Sequence, residues 1–125
     1  MKFCRSATAR GRKQAQGRSL ALLKAVAKSL LGGQRSCDVI GRWGGEEFLV
    51  ILPDIEPTAL GDMAERCRVM ISQSWITAGN APIRVIASIG ATVLSHGETL
   101  EAALRRVDGL MYESRRSGGN QTTAG

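Results

Sequence analysis

The chain has 125 residues, 43% hydrophobic and 22% charged, which is one globular domain or part of one and not a disordered tail. The formal charge of +6 is unevenly placed: residues 1–37 hold nine Lys/Arg and no acid, while residues 38–125 hold eight Lys/Arg against eleven acids. No apolar run reaches the ~18 residues of a membrane span, and no apolar stretch follows the basic N-terminus as a secretory signal requires. Three widely spaced cysteines (Cys4, Cys37, Cys67) argue against a disulfide framework and a CxxC metal site, and point to a reducing, cytoplasmic setting. The basic arm has one aromatic, Phe3, and no nucleic-acid motif, so it is read as a solvated end and not as a polymer-binding surface.

Residues 1–18 show no period and are read as irregular. Residues 19–31 place Leu20, Leu23, Val26, Ala27, Leu30 and Leu31 on one helix face, with Ser19 as N-cap and Gly32-Gly33 as the stop. Two strand-like runs, residues 38–43 and 48–52, flank Gly44-Gly45 and predict a β-hairpin with the glycines at its turn; Pro53 ends the second run. Residues 57–75 carry Leu60, Met63, Ala64, Cys67, Met70 and Ile71 at helical spacing, with Trp75 closing the helix against the core. A loop follows at Asn80-Ala81-Pro82. Residues 83–94 read as one strand with a kink at Gly90. Thr99 caps a last helix with Leu100, Leu104, Val107 and Met111 on one face, and the final residues, 121–125, form a flexible tail. The lone His96 is read as solvent-exposed and Trp43 as packed on the sheet. The order is that of an α/β (α+β) sandwich, helices packed on a mostly antiparallel sheet.

The chemistry concentrates at residues 35–48. Glycines at a turn let a ligand approach the backbone. Glu46 and Glu47 follow at once, and adjacent strand residues point to opposite faces, so only one of them can line a given site. Mg²⁺ takes hard oxygen ligands and sits between one or two carboxylates and substrate phosphates.

The string Arg35-x-x-Asp38, then Arg42-Trp43-Gly44-Gly45-Glu46-Glu47-Phe48 and an apolar strand ending in Pro53, resembles the GGDEF domain of diguanylate cyclases. The likeness continues through Ala64-Glu65-Arg66, Ala87-Ser88-Ile89-Gly90, Arg106-Val107-Asp108, Met111-Tyr112, Ser117-Gly118 and Asn120, and covers about residues 19–120. It implies a nucleotidyl-cyclase palm-like sandwich that condenses two GTP into cyclic di-GMP with Mg²⁺ or Mn²⁺, acting as a homodimer with facing sites. It further implies Glu46 as metal ligand and catalytic residue. Gly44, Gly45, Glu47 and Arg115 would lie against substrate. Arg35, Asp38 and Arg66 would form a product-inhibition site, where an Arg fork can take guanine or phosphate.

The same resemblance exposes departures. The family opens on a strand carrying Asp-x-Asp, then an Asn and a Gly-Asp pair that read the guanine; residues 1–37 contain no Asp, Glu or Asn, and Ser19-Leu20 stand at the Gly-Asp place. Arg115 replaces a phosphate-binding Lys, and Gly119 stands where a second phosphate-binding Arg is usual. The expectation is an N-terminally truncated or frame-disrupted copy, its first strand missing and its cyclase activity impaired. The alternatives are a non-catalytic cyclic di-GMP receptor acting through the Arg-x-x-Asp site, and a non-functional remnant that does not fold alone.

Overall fold

The computed structural model of the chain describes the backbone of residues 2–7, 16–33, 35–44, 47–78 and 81–125, and side chains from residue 24 onward apart from those of 78 and 83. In chain order the elements are β1 (Lys2–Ala7), α1 (Gln16–Gly33), β2 (Val39–Gly44), β3 (Glu47–Leu52), α2 (Pro57–Ser72), β4 (Trp75–Ala78), β5 (Ala81–Arg84), β6 (Ser88–Val93), α3 (Leu100–Arg116) and β7 (Thr122–Ala124). Five strands form one sheet in the order β2-β3-β1-β6-β7, antiparallel except for the parallel β6–β7 pair; β4 and β5 form a separate hairpin. The predicted α/β sandwich with a mostly antiparallel sheet is thus the observed fold.

Period-2 alternation along β3 builds both cores. Phe48, Val50 and Leu52 face one way, where Val26 and Leu30 of α1, Leu60, Ala64, Cys67 and Ile71 of α2, and Ile89 and Ala91 of β6 close over them. Leu49 and Ile51 face the other way and meet Ala103, Val107 and Leu104 of α3. The sheet is therefore the middle of three layers.

The first strand is present, which corrects the expectation of a missing strand. Residues 2–7 pair on both sides, from Lys2↔Leu52 to Ala7↔Glu47 with β3 and from Lys2↔Val93 to Ala7↔Ser88 with β6. Two partner strands supply hydrogen bonds along both edges of a run with no strand-like pattern of its own. Part of the segment 1–18 read as irregular is thus the central strand, and α1 begins at Gln16 and not at a Ser19 cap. Gly32 and Gly33 lie inside the last turn of α1 and not beyond it.

Further corrections follow downstream. Trp75 does not end α2; it opens β4 and is 61% exposed. Ala81 and Pro82, read as loop, belong to β5, and residues 83–94 are two strands and not one. The tail is not free: Thr122–Ala124 runs parallel to β6 in register Ile89↔Thr122, and Thr92 Oγ1 donates to the Gly125 carbonyl at 2.6 Å. Trp43 is half exposed, and so is Leu100. His96 is exposed as read, and Thr99 is the N-cap of α3, its side chain accepting from the Ala102 N–H at 3.1 Å.

The turn before α3 is held by one ion pair. Arg106 donates Nε and Nη2 to the two Glu98 oxygens, both at 2.8 Å, and Nη2 also reaches the Val93 carbonyl. These bonds, with the Ser95 N–H, hold the Glu98 carboxyl down to about 2. A folded-state value below the unfolded one means the contribution is whole above about pH 4.5 and is lost as pH falls toward 2. We expect the melting temperature of the wild-type chain to fall further between pH 4.5 and 2 than that of Glu98→Gln, read by circular dichroism; parallel falls would show that the pair contributes nothing.

Candidate functional site at the β2–β3 hairpin and its flanking turn

Gly44 pairs with Glu47, which leaves residues 45 and 46 as the connection between β2 and β3. The register shifts between Arg42 and Gly44, an irregularity of the ladder at Trp43. Gly45 and Glu46 themselves lie outside the described residues. Glu47 is half-buried at the start of β3, opposite Gly44 on one side and Ala7 on the other.

Sheet register decides what else stands beside the hairpin. The end of β1 is alongside it, with Ser6 opposite Phe48 and Ala7 opposite Glu47. A Mg²⁺ ion carrying a triphosphate needs one or two carboxylates besides the phosphate oxygens. The strand that could supply the second has none, and among the described residues no group of three His, Cys, Asp or Glu side chains could hold a metal ion. β1 therefore supplies no second carboxylate to a Mg²⁺ or Mn²⁺ ion at the hairpin.

The flanking turn is fully built. The Asp38 N–H bonds the Arg35 carbonyl at 3.0 Å and closes a turn between α1 and β2. The Asp38 carboxylate accepts the Arg35 backbone N–H at 2.7 Å, Nη2 at 2.8 Å and Nε at 3.1 Å. Arg35 Nη2 also donates to the Pro53 carbonyl at 2.7 Å, tying the turn to the end of β3. The Asp38 side chain is fully shielded while 39% of Arg35 is open to solvent. Asp38 thus orients the arginine, raising its pKa further through their hydrogen bond, and the Nη1 edge of the fork points away from both partners.

Arg66 and Arg115 make no hydrogen bond or ion pair with these two among the described residues. Arg66 is exposed on α2. Arg115 is exposed in the last turn of α3, ahead of the positive-φ run Gly118, Gly119 and Asn120. The residues flanking Arg66 secure that run. Arg68 donates Nε to Glu65 at 2.8 Å and Nη1 to the Asn120 side chain at 2.9 Å, while Thr122 donates to Glu65 at 3.0 Å. The first of these bonds is the main cause of the lowered Glu65 pKa. Sequence reasoning missed this clamp. The i,i+3 spacing of Glu65 and Arg68 was visible, but Asn120 lies 52 residues from Arg68.

Comparison with known proteins decides the family: the profile described as "Diguanylate cyclase, GGDEF domain" matches residues 18–121. The chain belongs to the GGDEF-domain family. It is 40% identical over 105 residues to the response regulator PleD of Caulobacter vibrioides, covering 79% of this chain and 22% of that protein. It is 36% identical over 105 residues to diguanylate cyclase A of Treponema denticola, covering 82% of this chain and 28% of the relative. The chain thus spans about a quarter of the length of these curated relatives. Among solved structures, diguanylate cyclase SiaD of Pseudomonas aeruginosa, in complex with its activator SiaC, superposes with TM-score 0.87 at 27% identity, over 99% of this chain and 50% of that one. The GGDEF domain of DgcB from Caulobacter crescentus, in complex with c-di-GMP, has the same fold, with TM-score 0.86 at 22% identity over 98% of this chain and 77% of that one. Among the described residues no helix is long and apolar enough to cross a membrane.

Proposed function

We propose that this chain is a GGDEF domain of diguanylate-cyclase type with little or no GTP turnover, which binds cyclic di-GMP at the Arg35–Asp38 turn. The observation that carries the first part is the register of β1. It aligns Ser6 and Ala7 with the hairpin where a second carboxylate would be needed, and residues 1–37 contain none. Glu46 alone would face a triphosphate whose charge needs neutralising, and condensing two GTP further requires a second copy with its hairpin facing the first. The presence of the central strand supports a folded domain over a remnant.

The binding part rests on a separate observation. Asp38 and the Pro53 carbonyl hold Arg35 in one orientation and leave its Nη1 group unengaged, which lowers the ordering cost of donating to guanine or phosphate.

Purified chain incubated with GTP and Mg²⁺ is expected to form cyclic di-GMP at least 100-fold more slowly than a GGDEF-domain cyclase assayed alongside. Chromatographic separation of the nucleotides reads the result. Turnover at a comparable rate would overturn the first part and leave the second to a direct titration.

A further inference from the structure

A cavity of about 490 Å³ opens between α1 and the junction of α2 with β4, and none of its lining residues belongs to the hairpin or to the Arg35–Asp38 turn. Ala25, Lys28, Ser29 and Gly32 lie on one stripe of α1 by their spacing; Met70, Gln73, Ser74 and Trp75 complete the lining. The volume is that of sites holding compounds of one or two rings.

The lining specifies a ligand chemistry. Trp75 is 61% exposed and lines the cavity, leaving a large apolar side chain largely in water there. Met70 packs against Gly33, filling the place a side chain there would take. Ser29 and Ser74 hydroxyls bond each other, and Ser74 Oγ also donates to the Met70 carbonyl, so these polar groups are already engaged. Lys28 is exposed at the cavity and makes no hydrogen bond or ion pair with a described residue. A flat apolar side chain beside one uncompensated cation suits a flat ring that carries an anion.

We propose that this cavity is a second ligand site, for a small planar aromatic compound bearing one negative charge. It does not rest on the cyclic di-GMP reading, since it shares no residue with Arg35, Asp38 or Arg66.

The test uses 2-naphthoate as probe, with 2-naphthamide as its neutral counterpart. The chain has two tryptophans, so ¹H–¹⁵N spectra carry two indole signals, which the Trp43→Phe variant assigns. The Trp75 signal is expected to move saturably with naphthoate and at least fivefold more weakly with naphthamide. Lys28→Gln is expected to weaken naphthoate at least fivefold. Gly32→Leu offers a second variant: a Cβ there meets nothing within 4 Å, so the added side chain enters open space and fills the cavity. It is expected to weaken naphthoate at least tenfold without lowering the melting temperature, while Arg35→Ala leaves binding unchanged. No saturable shift at millimolar probe, or equal binding by the Lys28 and Gly32 variants and the wild-type chain, overturns the proposal.

Discussion

Replacing Gly90 by alanine is expected to lower the stability of the chain by about 3 kcal/mol, and its melting temperature by roughly 10 °C. A Cβ at Gly90 would stand 2.4 Å from the Met111 nitrogen and 2.4 Å from the Val107 carbonyl oxygen, and 3.0 Å from the Leu110 carbonyl carbon. All three are backbone atoms of α3, and backbone cannot rotate aside as a side-chain end can. The helix must lift from β6 as a unit, loosening Ala103, Val107 and Met111, all buried. It would also strain the bond from Ser114 Oγ to the Ile89 carbonyl, 2.9 Å long. Gly109→Ala is the contrast. It lies within α3 with open space around its Cβ, so the same substitution is expected to stabilise by about 0.5–1 kcal/mol through helix propensity. Urea unfolding followed by circular dichroism measures both. A Gly90→Ala chain as stable as wild type would mean that α3 does not sit on β6 at this distance.

Gly90 also marks a limit of reading the chain without its fold. In the sequence it is a break in a β-branched run, and a kink is the local explanation. The structure gives a tertiary one: the strand needs no side chain there because a helix backbone occupies the space. The same limit governs β1 and β7. Lys2–Ala7 has neither alternation nor β-branched residues, and Thr122–Ala124 is too short to signal anything. Each becomes a strand because β6, or β3 and β6 together, present unpaired edges to it. Trp75 illustrates the opposite error. A tryptophan after a helical run suggests a core anchor, yet Gln73 ends α2, with its N–H reaching the Met70 and Val69 carbonyls, and the ring is left exposed on β4.

Where local chemistry decides, the sequence was legible. The hairpin followed from two apolar runs around glycines, and Thr99 stood where an oxygen can accept the first free helix N–H. The site was legible in the same measure. Arg35 and Asp38 meet because three residues separate them across a turn. The Pro53 carbonyl that completes their geometry lies 18 residues on, and only the end of β3 brings it there. The register shift at Trp43 was beyond sequence reasoning, because nothing in the run Arg42-Trp43-Gly44 signals an extra residue in the ladder.

Titration with cyclic di-GMP is expected to give saturable binding by the wild-type chain and a loss of roughly 30-fold in Arg35→Ala, about 2 kcal/mol, the order of a hydrogen bond from a charged donor, here the Nη1 group that neither Asp38 nor Pro53 engages. Asp38→Asn should fall between the two. The amide keeps an acceptor oxygen for Arg35 but loses the charge that draws both Nε and Nη2 to it, so the fork is less firmly aimed. Glu46→Ala should bind within threefold of wild type, because Glu46 serves the hairpin and not the turn. Arg35→Ala also leaves the shielded Asp38 carboxylate with its backbone N–H bond but no guanidinium, and removes the bond to the Pro53 carbonyl, so its melting temperature is expected to fall, while Asp38→Asn, which removes the buried charge, shifts it less. The affinities are therefore compared at a temperature where every variant is folded. Isothermal titration calorimetry reads the affinities. If Glu46→Ala weakens binding more than Arg35→Ala does, cyclic di-GMP occupies the hairpin, and the turn is a structural latch between α1 and the end of β3.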